Sequence, residues 1–317
     1  MRPGCYIRSM GCLTPHGLGL PDPGVSCPLR PAPAVGGRAL PSPAAGWIDP
    51  IPRPERWLGK RGTVRFGRLD RLTRLALVAA NAAMEGAPPL SEQAGLALGT
   101  AFGSHLANEA FQLALERGPG EEASPTLFTY TLPSSSVGEI SIHFGLKGPA
   151  LTLTEGIGAG LAALGVAARV VEHGEARWML SGAADTLGPS LLAVQPAPAD
   201  PPLAEGAAFV SLSGDGGGAL ARVAATAQGR GAGEVEGIAL ERAGLTPDRL
   251  QGHLEFWDAG SPLAAAHGRS GAASALLGAC ASIRARRLPA LITAVDPSGA
   301  VDVLCLDRPD STGTRAP

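Results

Sequence analysis

The sequence predicts an α/β fold built from two similar halves. Stretches with strand character alternate with stretches of helical periodicity along most of the 317 residues, and this alternation occurs twice, as in layered α/β proteins. Each half also contains an apolar helix rich in Gly and Ala, at 156–171 and at 271–285. Because a helix that is apolar on every face belongs in the interior, the repeated helix indicates a duplicated unit.

The N-terminal part begins with a strand and a turn. Residues 5–19 predict a short strand followed by a turn that contains Gly and Pro. Residues 20–62 have many Pro and Gly and little periodicity, which predicts an irregular surface segment or a poorly ordered loop. From Asp70 to Met84 the apolar residues recur at helical spacing, so an amphipathic helix is expected there.

The other elements follow from the same criteria. Further helices are expected at 105–117, 134–144 and 235–245, and serines at the start of the second can cap it. Strands are expected at 94–100, 151–154, 177–185, 207–213, 217–229 and 252–258, with a terminal pair around the turn at 296–299. The strand at 151–154 is expected to be buried.

Composition excludes several classes of protein. The formal net charge is −2, so there is no basic excess for binding nucleic acid. No apolar run of about 20 residues is free of charges and of Gly or Pro, so no membrane span is expected, and the start lacks the apolar region of a signal peptide. The 5 cysteines form no Cys-x-x-Cys pair and indicate free thiols in a reducing cytoplasm. No metal or cofactor is predicted.

One long segment then shows a resemblance. Residues 148–185, a strand that runs into a Gly/Ala-rich helix and the following strand, resemble the nucleophile segment of the β-ketoacyl-acyl-carrier-protein synthases. Six more segments resemble that family in its order, at 6–19, 68–85, 123–150, 204–212, 237–262 and 267–292. The resemblance implies a thiolase-like fold, in which two similar α/β halves form an α-β-α-β-α arrangement, here shortened relative to the family. It implies a ketosynthase-like half at 1–213 and a thiolase-like half at 214–317, with material missing near 186–203.

The catalytic positions that the resemblance identifies have changed. The family uses a cysteine thiolate at a helix N-terminus, which accepts the acyl group from a carrier thioester. That position is Ile157, and the position of the first histidine is Trp257. Gly268 takes the place of the second histidine, with His267 shifted by one, and the family's lysine is absent. The Gly-rich turn that supplies an oxyanion-hole N–H appears as 295–299. Together these losses predict an inactive copy.

Each altered position also has a plainer interpretation. Ile157 is a core residue or a plug of the former pocket, and Trp257 is a packing residue that fills the vacated site. His267 is a surface histidine, or retains a catalytic role. Glu155 caps the helix that follows it, or acts as a decarboxylating carboxylate. Cys280 lies in an apolar helix and is expected to be inert.

A second motif suggests a different function. A Gly-x-Gly-x-x-Ala pattern at 158–163 follows a strand and opens a helix, and Asp185 ends the next strand. This arrangement has the form of a dinucleotide-binding fingerprint, which would make the chain a nicotinamide oxidoreductase. The pattern is weak evidence in a Gly/Ala-rich sequence.

The resemblance favours a partner subunit. Chain length factors of type II polyketide synthases resemble ketosynthases, lack the cysteine, and wall off the acyl tunnel of an active ketosynthase in a heterodimer. By this resemblance the chain would pair with an active ketosynthase, and would meet the acyl carrier protein through that partner. The residues implied at the tunnel and interface are Leu127, Phe128, Thr129, Tyr130, Leu132 and Ser135. The alternative is an acyl-thioester decarboxylase or acyltransferase that uses Glu155 or His267.

Overall fold

The computed structural model describes residues 4–22, 25–32, 44–58, 66–87, 91, 93–116, 124–194, 201–255 and 269–309. The first half contains the strands β1 (Cys5–Thr14), β2 (Gly17–Leu18), β3 (Gly95–Gly99), β4 (Ala150–Leu153), β5 (Trp178–Asp185) and β6 (Gly206–Ser213). Its helices are α1 (Arg71–Glu85), α2 (His105–Leu115), α3 (Pro125–Thr129), α4 (Ser134–Phe144), α5 (Ala159–Glu172) and α6 (Pro189–Ala193).

The second half is smaller. Its strands are β7 (Ala221–Arg230), β8 (Gly252–Glu255), β9 (Ala290–Val295) and β10 (Ala300–Asp307). Its α-helices in the described residues are α7 (Ala232–Ala243) and α8 (Ala272–Arg284). The predicted boundary at residue 213 falls at the end of β6.

All the strands belong to one mixed sheet, in the order β4-β3-β5-β6-β1-β7-β10-β9-β8, with β2 paired to β1. The first half reads β4-β3-β5-β6-β1, and β3 is parallel to β4 and β5 whereas β6 is antiparallel to β5 and β1. The second half repeats this scheme as β8-β9-β10-β7, with β8 parallel to β9 and β10 antiparallel to both neighbours. The strand order therefore confirms the predicted duplication.

The described part of the second half has no counterpart of β4. In the first half, residues 100–158 connect β3 to the central helix α5, whereas only 256–271 connect β8 to α8. The shortening of the second half therefore lies between its second strand and its central helix. The missing material expected at 186–203 is a separate prediction, which this topology does not test.

The two central helices lie between the halves of the sheet. Side chains of α5 and α8 form one buried cluster with residues of β1, β5, β7, β9 and β10. Close approach of the helices requires Gly160, since a Cβ there would lie 2.3 Å from the carbonyl oxygen of Ala272. Outside the sheet, α1 and α4 cover the first half and α7 covers the second. These layers give the α-β-α-β-α order that was predicted.

Two details of the predicted elements are wrong. The strand β4 is not buried, because it is the edge of the sheet, and Ala150 and Leu151 are exposed. The predicted serine cap of α4 is also absent, since Pro133 occupies the cap position and no side chain bonds to the free N–H groups there. Within the described ranges, no helix combines the length and apolarity of a membrane span.

Part of the 20–62 segment is packed rather than loose. Trp47 and Ile48 are fully buried, and an ion pair holds them in place. Arg71 Nε donates to Glu205 Oε1 at 2.6 Å, and Glu205 Oε2 accepts from the backbone N–H of Ile48 at 2.9 Å. The guanidinium of Arg71 also lies 5.6 Å from the centre of the Trp47 ring. The segment is irregular as predicted, but these contacts correct the expectation of a surface loop.

Candidate functional site

The nucleophile position lies on a tight turn between β4 and α5. The chain leaves β4 at Leu153, passes through Glu155 and a 3-10 turn at Gly156–Gly158, and enters α5 at Ala159. Gly156 has φ 74°, a left-handed conformation that favours glycine. Ile157 is half-buried, and its side chain packs against the central cluster. This contact supports its interpretation as a core residue or plug.

Two carboxylates press against this turn. The backbone N–H of Ile157 donates to Oδ2 of Asp296 at 3.4 Å. A Cβ at Gly156 would lie 2.1 Å from that same oxygen, and a Cβ at Gly158 would lie 1.8 Å from Oδ2 of Asp302. A side chain at either position would therefore force the neighbouring carboxylate to move. Asp296 belongs to the β9–β10 turn, so the turn that carries an oxyanion-hole N–H in the resembling family contributes a carboxylate here.

The carboxylates give the site a negative electrostatic potential. Burial, together with the negative charges of Glu155 and Asp296, raises the pKa of Asp302 to about 6. Gln228 Nε2 donates to Asp302 Oδ1 at 2.5 Å, which opposes that rise. Burial also disfavours the charge of Asp296, but hydrogen bonds, including those from the N–H groups of Ser298 and Ile157, keep its pKa below the usual value. A developing oxyanion needs hydrogen-bond donors free of other anions, and this turn presents the opposite environment.

Asp185, at the end of β5, joins the two halves through a hydrogen bond from the start of α8. Its carboxylate is fully buried and accepts hydrogen bonds from Thr100 Oγ1 at 2.6 Å and from the N–H groups of Ala101, Phe102 and Ala272 at 2.7–3.1 Å. Burial raises its pKa to about 6 in spite of these donors. Both oxygens are used internally, so Asp185 has no oxygen available for a ribose hydroxyl. This argues against the dinucleotide-binding interpretation of 158–163.

The other predicted catalytic positions have different outcomes. Trp257, His267 and Gly268 lie outside the described residues, so their roles stay predictions. Glu155 is exposed and makes no capping hydrogen bond, so the expected cap is wrong. Cys280 is fully buried in α8, and the adjacent Cys12 thiol together with burial raises its pKa well above the usual value. That environment fits an inert thiol.

The predicted tunnel and interface residues do not share one environment. Tyr130 is buried, and its hydroxyl donates to Glu139 Oε1 at 3.1 Å, whereas Leu127 is half-buried. Phe128 is 61% exposed and its ring lies 5.5 Å from that of Phe111, and Leu132 is 62% exposed.

Two polar members of this set hold the turn together. Thr129 Oγ1 donates to the carbonyl of Pro125, and Ser135 Oγ donates to the carbonyl of Thr129. The segment around these residues is the short helix α3 and a turn.

Two exposed apolar side chains lie at the free edge of the sheet. In the described residues β4 pairs with β3 alone, so its other edge is unpaired. Thr152 Oγ1 on this strand is buried without a hydrogen-bond partner in the part of the chain that the structure describes. Leu151 of β4 is exposed, and so is Ile142 of α4, the helix that packs against β4. We name β4 and these two side chains the β4 edge surface.

The duplicated sheet with its two central helices, and the strand–turn–helix segment at the predicted nucleophile position, define a thiolase-like fold. Residues 29–199, more than half of the chain, match the family model of the β-ketoacyl synthase N-terminal domain, and the chain belongs to this family.

Among curated proteins, the 3-oxoacyl-[acyl-carrier-protein] synthase 2 of Staphylococcus aureus is 31% identical over 121 residues, which cover 36% of this chain and 30% of that protein. The chain therefore matches less than a third of the length of this relative.

Two solved structures show the same fold over almost the whole chain. A structure described as the ishigamide ketosynthase/chain length factor superposes with a TM-score of 0.75 at 23% identity, covering 96% of this chain and 99% of that one. A type II polyketide synthase acyl-carrier protein in complex with its ketosynthase bound to the hexaketide gives a TM-score of 0.77 at 17% identity, covering 97% of this chain and 100% of that one. At these identities the likeness shows the fold alone.

Sequence reasoning missed the residues that give the site its charge. Asp296 was interpreted as part of a hairpin turn and of the altered oxyanion-hole turn, with no role for its carboxylate, and Asp302 and Gln228 were interpreted only as strand residues. Their one sequence signal is the glycines on both sides of Ile157, which indicate groups that approach the turn closely. The pairing of Arg71 with Glu205 was also missed, although both lie in segments that resemble the family.

Proposed function

We propose that this protein is a non-catalytic ketosynthase-like subunit. It would pair with an active β-ketoacyl-acyl-carrier-protein synthase and shape the acyl tunnel of that partner, in type II polyketide or fatty-acid-like biosynthesis. The observation that carries the proposal is the contact between the N–H of Ile157 and the carboxylate of Asp296. The chain has neither the nucleophile nor an unoccupied, electropositive donor at this position.

The electrostatics support the absence of condensing chemistry. A catalytic cysteine needs a low pKa, which helix N-termini and nearby cations provide. Here Asp296, Asp302 and Glu155 surround the turn, and neighbouring negative charges raise the pKa of a thiol. These carboxylates also repel the oxyanion that forms when a thioester is attacked. The charges at this site therefore disfavour both a reactive thiolate and the negatively charged transition state of thioester attack.

The β4 edge surface supports a partner. An unpaired, partly apolar edge strand is a template for pairing with another chain, and β-strand addition is a common mode of association. Leu151 and Ile142 at this edge are exposed in the single chain, and permanent complexes bury more apolar interfaces than transient ones. A structural neighbour described as a ketosynthase/chain length factor is consistent with such a pair.

The partner would provide the chemistry and the carrier contact. The acyl carrier protein would deliver its thioester to the active ketosynthase, while Phe128 and Leu132 of this chain would lie at the far end of the tunnel. The described cysteines are buried and unpaired, which fits the cytoplasm as the proposed location.

Mass spectrometry tests the non-catalytic part of the proposal. The purified chain is incubated with an acyl-carrier thioester, first alone and then with an intact ketosynthase. The proposal expects an acyl adduct only on the active ketosynthase. An adduct on this chain, or condensation by the chain alone, would contradict it.

A further inference from the structure

A surface cavity of about 440 Å³ lies at the other end of the second half of the sheet. The strand β10 starts beside the Asp296 turn at Ala300, and its last residue, Asp307, lines this cavity. An eight-residue strand spans roughly 25 Å, so the cavity is remote from Ile157. It is also separated from β4 by the width of the sheet.

Three arginines converge on this cavity against one carboxylate. Arg222 Nη2 forms an ion pair with Asp307 Oδ2 at 3.0 Å, while Arg249 and Arg308 also line the walls. The Nε of Arg222 is buried and has no hydrogen-bond partner in the described residues. The residues that line the cavity therefore have a formal net charge of +2, whereas the formal net charge of the whole protein is −2.

The arginines are held in different ways. Arg308 Nε donates to the carbonyl of Leu288 at 3.0 Å. The Gln251 amide, in the orientation that satisfies its neighbours, accepts from Arg308 Nη2 at 2.8 Å and donates to the same carbonyl at 3.1 Å. The backbone N–H of Arg249 donates to the carbonyl of Thr246 at 3.0 Å, and its charge helps to lower the pKa of the adjacent, exposed Asp248, but its guanidinium makes no hydrogen bond with the described residues. One guanidinium is thus fixed in position, and another is available to a ligand.

The arginines of the cavity do not serve to cap a helix. The helix α7 ends at the cavity wall, but carbonyl groups in its last turn already accept hydrogen bonds from backbone N–H groups. The N–H of Gly244 donates to the carbonyl of Glu241 at 3.1 Å, and the N–H of Leu245 donates to that of Leu240 at 3.0 Å. The cavity arginines are therefore not needed for these carbonyls.

We propose that this cavity binds a small organic phosphate. Guanidinium groups pair with phosphate through two parallel hydrogen bonds, and a phosphate monoester has about −1.5 to −2 charges at pH 7, which matches the excess of the lining. The volume falls in the range of small-molecule sites and leaves space for an organic group beside the phosphate. This site does not depend on the proposed function.

Isothermal titration calorimetry tests this site with the full chain in low salt. The probes are adenosine monophosphate and inorganic pyrophosphate, with citrate as a carboxylate of similar charge. We expect saturable binding of both phosphates and weaker binding of citrate. Arg249→Gln should weaken binding by about tenfold or more, since a charge-assisted hydrogen bond contributes about 1.5–3 kcal/mol. Arg249→Lys should keep part of the affinity.

A matched control lies on α7, the helix that precedes the turn of Arg249. Arg242 of α7 is exposed and lines a different cavity, so Arg242→Gln should bind the probes like the wild type. Circular dichroism confirms that each variant is folded, and the guanidinium of Arg249 has no hydrogen bond with the described residues whose loss would unfold it. Absence of saturable binding at millimolar phosphate would overturn the proposal. Equal affinity for citrate, or unchanged binding by Arg249→Gln and Arg308→Gln, would also overturn it.

Discussion

The backbone N–H of Ile157 donates to the carboxylate of Asp296 across the interface between the two halves, at 3.4 Å. The position predicted for the nucleophile is therefore in direct contact with a carboxylate of the β9–β10 turn. A substitution at residue 157 alone does not remove this carboxylate or the nearby Asp302, so the negative charge around the turn stays the same.

We predict that Ile157→Cys alone does not restore condensation. The carboxylates around the turn raise the pKa of the new thiol, and catalytic groups that act as a unit cannot be restored singly. The measurement is the rate of iodoacetamide alkylation of the variant as a function of pH. As a matched comparison, Ile157→Cys with Asp296→Asn should react faster at pH 7. Rapid turnover by the single variant would show that the site is functional.

The ion pair between Arg71 and Glu205 should contribute strongly to stability. Glu205 is fully buried, so Arg71→Ala leaves an uncompensated charge and should cost about 3–5 kcal/mol in free energy of unfolding. Urea denaturation gives the value. Asp215→Ala is the control, because that carboxylate is 75% exposed beside Arg8, and its loss should cost less than about 1 kcal/mol. Similar losses in both variants would contradict this.

Asp302→Asn should stabilise the protein at pH 7. Its pKa in the folded chain is raised to about 6, above that of an unfolded aspartate, so the folded state binds more protons between about pH 4 and 6. The wild type therefore loses stability from this group as the pH rises through that window. The variant should not show this loss, so its free energy of unfolding at pH 7 should be higher than that of the wild type by an amount on the order of 1–2 kcal/mol. An unchanged slope of stability against pH in the variant would refute this assignment.

Phe128→Ala should lengthen the products of the complex without preventing pairing. The side chain is 61% exposed in the free chain, so its truncation should cost about 1 kcal/mol or less in folding stability. Product masses from the reconstituted complex give the readout. Leu220→Ala, at an exposed residue before β7, is the control and should leave the products unchanged. A normal complex with an unchanged product distribution would show that Phe128 does not limit length.

The sequence predicted the architecture well because its signals are local. The amphipathic pattern from Asp70 to Met84 and the apolar helices around Leu161 and Leu277 are visible from residue spacing alone. The exposure of Leu151 was not predictable in the same way, because an apolar tetrapeptide has the same appearance in a central strand and at an edge. Whether such a strand is buried depends on its place in the sheet, and β4 pairs with β3 alone in the described residues.

The charged part of the site depends on contacts between distant residues. Asp296 and Ile157 are 139 positions apart, and neither lies in a motif that indicates the other. The same holds for Asp185, whose donors come from the loop after β3 and from the start of α8. Sequence could identify the altered catalytic positions by resemblance, but it could not show that carboxylates had moved against them.

The most direct test of the central claim is the assembly state with an intact ketosynthase from the same genome. The two proteins are co-expressed and analysed by size-exclusion chromatography with light scattering. We expect a one-to-one heterodimer that is disrupted when Leu151→Asp places a charge on the β4 edge surface, while the exposed control Leu220→Asp still pairs. A stable homodimer of this chain that does not bind the ketosynthase would contradict the proposed pairing.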